Sequence, residues 1–163
     1  MARGRGRSKE APVTRALRDF RAFARRPTVS KKQILVADDE YPITRSISRL
    51  LESAGFQCLL AANGEEALRL VRTQRPSAIL LDLDMPVMSG TEVLRLLRED
   101  PELREIPVCI LSALSQCCCR LGEPIEGVQR VLPKPYDPVE LLEAVREMVE
   151  EDLGDPDPPD PAQ

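Results

Sequence analysis

Five short apolar runs punctuate the chain, and four of them lead into longer stretches where apolar residues recur every third or fourth position. The runs are Gln33–Ala37, Phe56–Ala62, Ala78–Leu81, Pro107–Leu111 and Val128–Leu132. A short continuous apolar run bounded by turn residues is what a parallel strand buried on both faces requires. The periodic stretches carry Ile43, Ile47, Leu50 and Leu51; then Ala67, Leu68 and Val71; then Val93, Leu94 and Leu97; and last Leu141, Leu142, Val145, Met148 and Val149. Each predicts a helix with one inward face. Asn63 and Ser89 precede a Glu at the third position, and Asp137-Pro138-Val139-Glu140 combines the same cap with proline in the first turn. Gly55 closes the first helix, and Asp100-Pro101 stops the third because a residue before proline resists helical geometry. Between Leu114 and Gly127 the pattern fails, since Gly122, Pro124 and Gly127 interrupt any helix, so that segment holds at most a short one. Alternating strands and helices predict a parallel sheet covered on both faces with right-handed crossovers.

In such sheets chemistry collects where the strands end. Those ends hold Asp38-Asp39, Asp82, Ser112 and Lys134. Singly, each has an ordinary reading: a loop acid is a cap, a Ser-Ala a strand end, a Lys-Pro a turn. Together they point elsewhere. Three carboxylates in one place need a cation, and an all-oxygen donor set favours Mg²⁺ or Mn²⁺. A carboxylate beside such an ion can attack phosphorus, because the ion screens the repulsion between two anions. Lys134 would offer a charge to one phosphoryl oxygen and Ser112 a hydroxyl donor to another. The set reads as a phosphoryl-transfer site built on aspartate.

The length of 163 residues fits one domain with tails. The predicted divisions are a basic extension over 1–32, a partly disordered arm or short amphipathic helix; a globular domain over 33–150; and an acidic, proline-rich disordered tail over 151–163. Charge separates them, since eleven Lys or Arg in the arm face only Glu10 and Asp19, while the remainder carries twelve against twenty-five acids. The arm suits nucleic acid, an acidic partner or a membrane surface, or else lies against its own acidic domain. No groove-reading helix or aromatic array accompanies it, which argues against sequence-specific DNA binding. No run reaches the roughly 20 apolar residues of a membrane span, and the arginine-rich start lacks the apolar core of a secretory signal, so the cytoplasm is expected. Five cysteines, three of them adjacent at Cys117-Cys118-Cys119, fit reduced thiols, and with no histidine to complete a set they make a poor zinc site.

The chain resembles the receiver domain of two-component response regulators over about Ile34 to Val149. Ile34-Leu35-Val36-Ala37-Asp38-Asp39-Glu40 is similar to that family's first strand and acidic pair. Leu81-Asp82-Leu83-Asp84-Met85-Pro86-Val87-Met88-Ser89-Gly90 is similar to its phospho-acceptor segment, Leu111-Ser112-Ala113 to its switch-hydroxyl segment, and Leu132-Pro133-Lys134-Pro135-Tyr136 to its lysine-proline segment with a cis bond. The resemblance implies a flavodoxin-like doubly wound sheet of order 2-1-3-4-5, and the chain departs from the family in a fourth helix that Gly122 and Pro124 make short or irregular. It implies that Asp82 accepts a phosphoryl group from a histidine kinase or phosphotransfer protein. Asp39 and Asp82 would bind Mg²⁺ through carboxylates, Asp38 would orient its waters, and Asp84 would offer a backbone carbonyl. The expected molecule is no enzyme beyond Mg²⁺-dependent self-phosphorylation and dephosphorylation, and signals to an unknown downstream protein as a monomer or weak dimer. Val131 stands where the family usually has an aromatic switch residue, so readout is expected in the loops around Asp82 and Ser112 and in Leu114–Gly127. The alternative is a haloacid dehalogenase-like phosphatase, in which Asp82 attacks phosphate and Asp84 protonates the leaving group. Its motif normally opens the fold and continues Gly-Thr, and it leaves Asp38-Asp39 unexplained.

Overall fold

The computed structural model describes residues 32–113 and 127–151. The expectations for the arm up to residue 31, the irregular fourth helix and its cysteine run, and the tail after 151 lie outside the described residues.

Five strands, β1 (Gln33–Ala37), β2 (Gln57–Ala61), β3 (Ala78–Asp82), β4 (Val108–Ala113) and β5 (Arg130–Lys134), pair in parallel in the order β2-β1-β3-β4-β5. The described helices are α1 (Tyr41–Ser53), α2 (Gly64–Gln74), α3 (Gly90–Glu99) and α4 (Pro138–Glu151). Alternation within each strand divides the core. Ile34, Val36, Leu80, Leu111 and Leu132 pack with Ile47 and Leu51 of α1 and Leu141, Val145 and Met148 of α4. Leu35, Ile79, Leu81 and Ile110 pack on the other face with Ala67 and Val71 of α2 and Val93 and Leu97 of α3. Every residue of β3 is buried, which explains its unbroken apolar run. The order in which strands join the sheet reverses between β1 and β3, and this opens a crevice above their carboxyl ends.

The helix signals act as their chemistry predicts. Ser89 accepts from the Glu92 N–H and Glu92 reaches back to the Ser89 N–H, a complete capping box. The Asn63 side chain accepts from the Glu66 N–H, while Glu66 turns its carboxylate to the Ala62 N–H instead. Gly55, at φ +96°, closes α1 in the left-handed conformation that glycine adopts without steric cost. Two strands run two residues further than the apolar runs that predict them. β4 continues through Ser112 and Ala113, and β5 runs Arg130–Lys134 rather than Val128–Leu132. Pro133 reads as a terminator, yet β5 is an edge strand where the missing N–H costs no ladder bond.

Candidate functional site

The register delivers the candidate residues to one end of the sheet. Ala37 pairs with Leu81 and Asp82 with Leu111, so Asp38 emerges beside Asp82. Ala113 pairs with Lys134, which brings the lysine over the same edge. The Lys134–Pro135 peptide bond is cis, as the resemblance implied. Asp38 and Asp82 are buried, Asp39 is exposed, and one carboxylate oxygen from each lies within 4.8 Å of the others.

Lys134 ties the cluster together. Its Nζ donates to Asp38 Oδ2 at 2.6 Å and lies 3.2 Å from Asp82 Oδ2. The other oxygen of Asp38 accepts from the Glu40 N–H at 2.9 Å, which fixes that carboxylate at both ends. Burial holds the Asp82 carboxyl above the ordinary aspartate range; the Lys134 charge pulls it down and the Asp38 charge pushes it up. Burial alone would lower the Lys134 ammonium, but its hydrogen bond to Asp38 and the charges of Asp38 and Asp82 outweigh it, and the net direction is up. Three carboxylates against one ammonium leave the cleft with an excess of negative charge. Its donors are all oxygen, so they fit a hard divalent cation.

The cleft, about 520 Å³, is bordered by Asp39, Asp82, Asp84, Pro86, Ala113 and Lys134. Asp84 therefore stands at its wall. Ser112 is buried at the adjacent strand end, and its hydroxyl donates to the Ala113 carbonyl at 3.1 Å. Val131 is half-buried against the α2/α3 face of the core and offers no ring to move.

Two features of the loop after Asp82 carry no sequence expectation. Gly90 donates its N–H to the Leu83 carbonyl at 3.0 Å and sits so close to the Asp82–Leu83 backbone that no side chain fits there. Gly64 donates to the Met88 carbonyl at 3.2 Å from the other side. Between them Val87, at φ +69°, is the centre of a γ-turn closed by the Met88 N–H on the Pro86 carbonyl. A β-branched residue there is strained. Glycine one residue after a helix cap was the available signal for the close approach of Gly90. For Tyr136, half-buried beside Asp38, Lys134 and Glu40, the only signal was its place after Lys134-Pro135.

A 2-1-3-4-5 sheet with helices on both faces, and an acid-and-lysine cleft where β1, β3 and β5 end, define a flavodoxin-like α/β domain of the receiver kind. The chain belongs to the response regulator receiver domain family, which it matches over residues 34–146. It is a receiver of two-component signalling. The transcriptional regulatory protein PrrA of Mycobacterium bovis is 36% identical over 121 residues, covering 74% of this chain and 51% of that protein. The chain thus spans about half the length of such curated relatives. A Francisella response regulator receiver domain superposes with a TM-score of 0.68 at 31% identity, covering 75% of this chain and 99% of that one. The receiver domain of a Pseudomonas aeruginosa sensor histidine kinase, with magnesium coordinated in its active site cleft, gives a TM-score of 0.65 at 29% identity, covering 74% of this chain and 99% of that one. No helix among the described residues is long and apolar enough to cross a membrane.

Proposed function

We propose that Asp82 is the phosphoryl acceptor of this receiver and that a histidine kinase or histidine phosphotransfer protein is the donor. One observation carries the reading: a buried carboxylate at the end of the central strand, 3.2 Å from an ammonium that a second buried carboxylate holds in place. An Asp82 oxygen attacks the phosphorus of a phosphohistidine, the P–O bond forms as the P–N bond breaks, and the imidazole leaves with the bonding pair and takes a proton. Lys134 is placed to pair with a phosphoryl oxygen as charge moves onto Asp82. Asp39 and Asp82 would hold Mg²⁺ through their carboxylates, with Asp38 orienting its waters and Asp84 offering its backbone carbonyl. When bound, the ion supplies charge neutralisation that lets an anionic nucleophile meet an anionic phosphoryl group. Ser112, now turned to Ala113, would swing to the phosphoryl oxygen, and the modified state is then read by protein contact. The phosphatase alternative gains nothing from the family match, which is to receivers.

The test is incubation with a small-molecule phosphodonor and Mg²⁺, read by intact mass. One phosphoryl group, labile to base and blocked by a chelator, is expected on the wild type and none on Asp82→Asn. Undiminished phosphorylation of Asp82→Asn, or steady turnover of a generic phosphomonoester, refutes the assignment.

A further inference from the structure

Helix α3 touches the acceptor strand at one end and carries a half-buried cation at the other. At its start, Gly90 lies on the backbone of Asp82 and Leu83 without space for a Cβ. In its last turn, Arg98 extends a guanidinium to three carbonyls. Nη1 donates to Arg104 and to Ile106 at 3.2 Å, and Nη2 donates to Ile106 at 3.3 Å and to Gly127. Gly127, at φ +76°, precedes β5, and a Cβ on it would stand 2.6 Å from Arg98 Cδ and 2.7 Å from Cζ. Glycines thus permit close approach at both ends of one helix. Between them α3 buries Val93, Leu94 and Leu97 and spans about 15 Å.

The clasp is balanced. Its hydrogen bonds oppose the desolvation of a cation, and the Arg98 Nε–H is buried with no partner. A contact so offset can open without unfolding the domain. We infer that α3 is a strut coupling the Asp82 loop to the start of β5, with Arg98 as the positioning residue that fixes its far end. The inference rests on Asp82 being the acceptor. A phosphoryl group on Asp82 displaces the Asp82–Leu83 backbone, Gly90 moves with it because the contact has no slack, and close packing carries the shift to Arg98. The clasp on Ile106 and Gly127 then loosens. Coupling of this kind is reciprocal, so an open clasp favours occupancy of the site.

The experiment is amide chemical-shift mapping of the full chain with and without beryllofluoride and Mg²⁺, on wild type, Arg98→Met and Gly127→Ala. Gly127→Ala displaces the arginine without removing its charge. In wild type, shifts are expected at Asp82–Gly90 and also at Ile106 and Gly127. In either folded variant the near-end shifts persist, the far-end shifts vanish, and the adduct binds tighter by about five-fold. Wild-type shifts confined to Asp82–Gly90 overturn the strut whatever the variants do, and so does an Arg98→Met response and affinity matching wild type. Failure of wild type to form any adduct, read by fluorine resonance, refutes instead the assignment of Asp82, and the strut falls with it.

Discussion

Gly90→Ala places one methyl group against the backbone that carries Asp82. The new Cβ would lie 2.8 Å from Leu83 Cα and 2.9 Å from the Asp82 carbonyl carbon. Carbon atoms rest at about 3.5–4.0 Å, so the two backbones must part by roughly 0.7 Å or more. Overpacking of this sort costs about 1–3 kcal/mol, and here the upper end applies because the neighbours are main chain rather than a side chain that can rotate. Parting also weakens the Gly90 N–H bond to Leu83, a loss of about 1 kcal/mol, while alanine regains roughly 1 kcal/mol of helix propensity. The net expectation is about 3 kcal/mol of lost stability, more than a hundredfold in the unfolding equilibrium. With a urea m-value of about 1.5–2 kcal/mol/M the midpoint falls by about 1.5–2 M. Displacement of the Asp82 backbone misaligns its carboxylate, and phosphorylation by a small donor should slow at least about tenfold even under folding conditions. A stability change under about 0.5 kcal/mol with an unchanged phosphorylation rate would refute the reasoning, because it would mean that the loop yields freely at Gly90.

Lys134→Ala leaves Asp38 and Asp82 facing each other without a cation, which should cost about 3 kcal/mol in metal-free buffer, with Mg²⁺ restoring part of it; equal urea midpoints with and without Mg²⁺ would contradict this. Ser89→Ala removes the capping-box oxygen and should cost about 1 kcal/mol by the same measurement, with no loss of phosphorylation. Burial pushes the Cys58 thiol up to about 11 and the Cys109 thiol up to about 12. Both should resist alkylation in the native protein at neutral pH and react in urea, as peptide mass mapping will show. Because these folded values exceed the unfolded ones, their contribution is intact below about pH 9 and is lost as pH rises toward 11 to 12. The fully buried Cys109 sets the slope, up to about 1.4 kcal/mol per pH unit, so an alkaline denaturation series on Cys109→Ala should be flatter than on wild type.

Much of the fold was legible because the signals here are strong and local. Strand β3 is apolar at every position before its acid and is buried at every position, so neither periodicity nor length left room for a helix. Ser89 and Asn63 caps likewise act within four residues of themselves. The end of β5 was misread because Pro133 signals a stop, and only the sheet order reveals that it sits on an edge. At the site, Asp38, Asp39, Asp82 and Lys134 could be assembled from strand ends alone, since parallel topology brings successive carboxyl ends together. The Ser112 hydroxyl could not be aimed in the same way, because its rotamer answers to the nearest carbonyl. Arg98 was invisible for a related reason: a basic residue at the end of a helix ordinarily faces water, and its three carbonyl partners come from two separate turns.

The chain contains two tyrosines and no tryptophan. Tyr41 opens α1 next to Asp38 and Asp39, and Tyr136 follows the cis bond beside Asp38 and Lys134. Both tyrosines therefore sit beside the acidic residues at the strand ends, with no indole elsewhere to drain or mask their emission. Ultraviolet emission from the unlabelled protein should thus respond to a change of charge at Asp38, Asp39 or Lys134. The phosphoryl transfer proposed for Asp82 should then be visible in real time without a dye, and Tyr136→Phe separates the half-buried reporter from the exposed one.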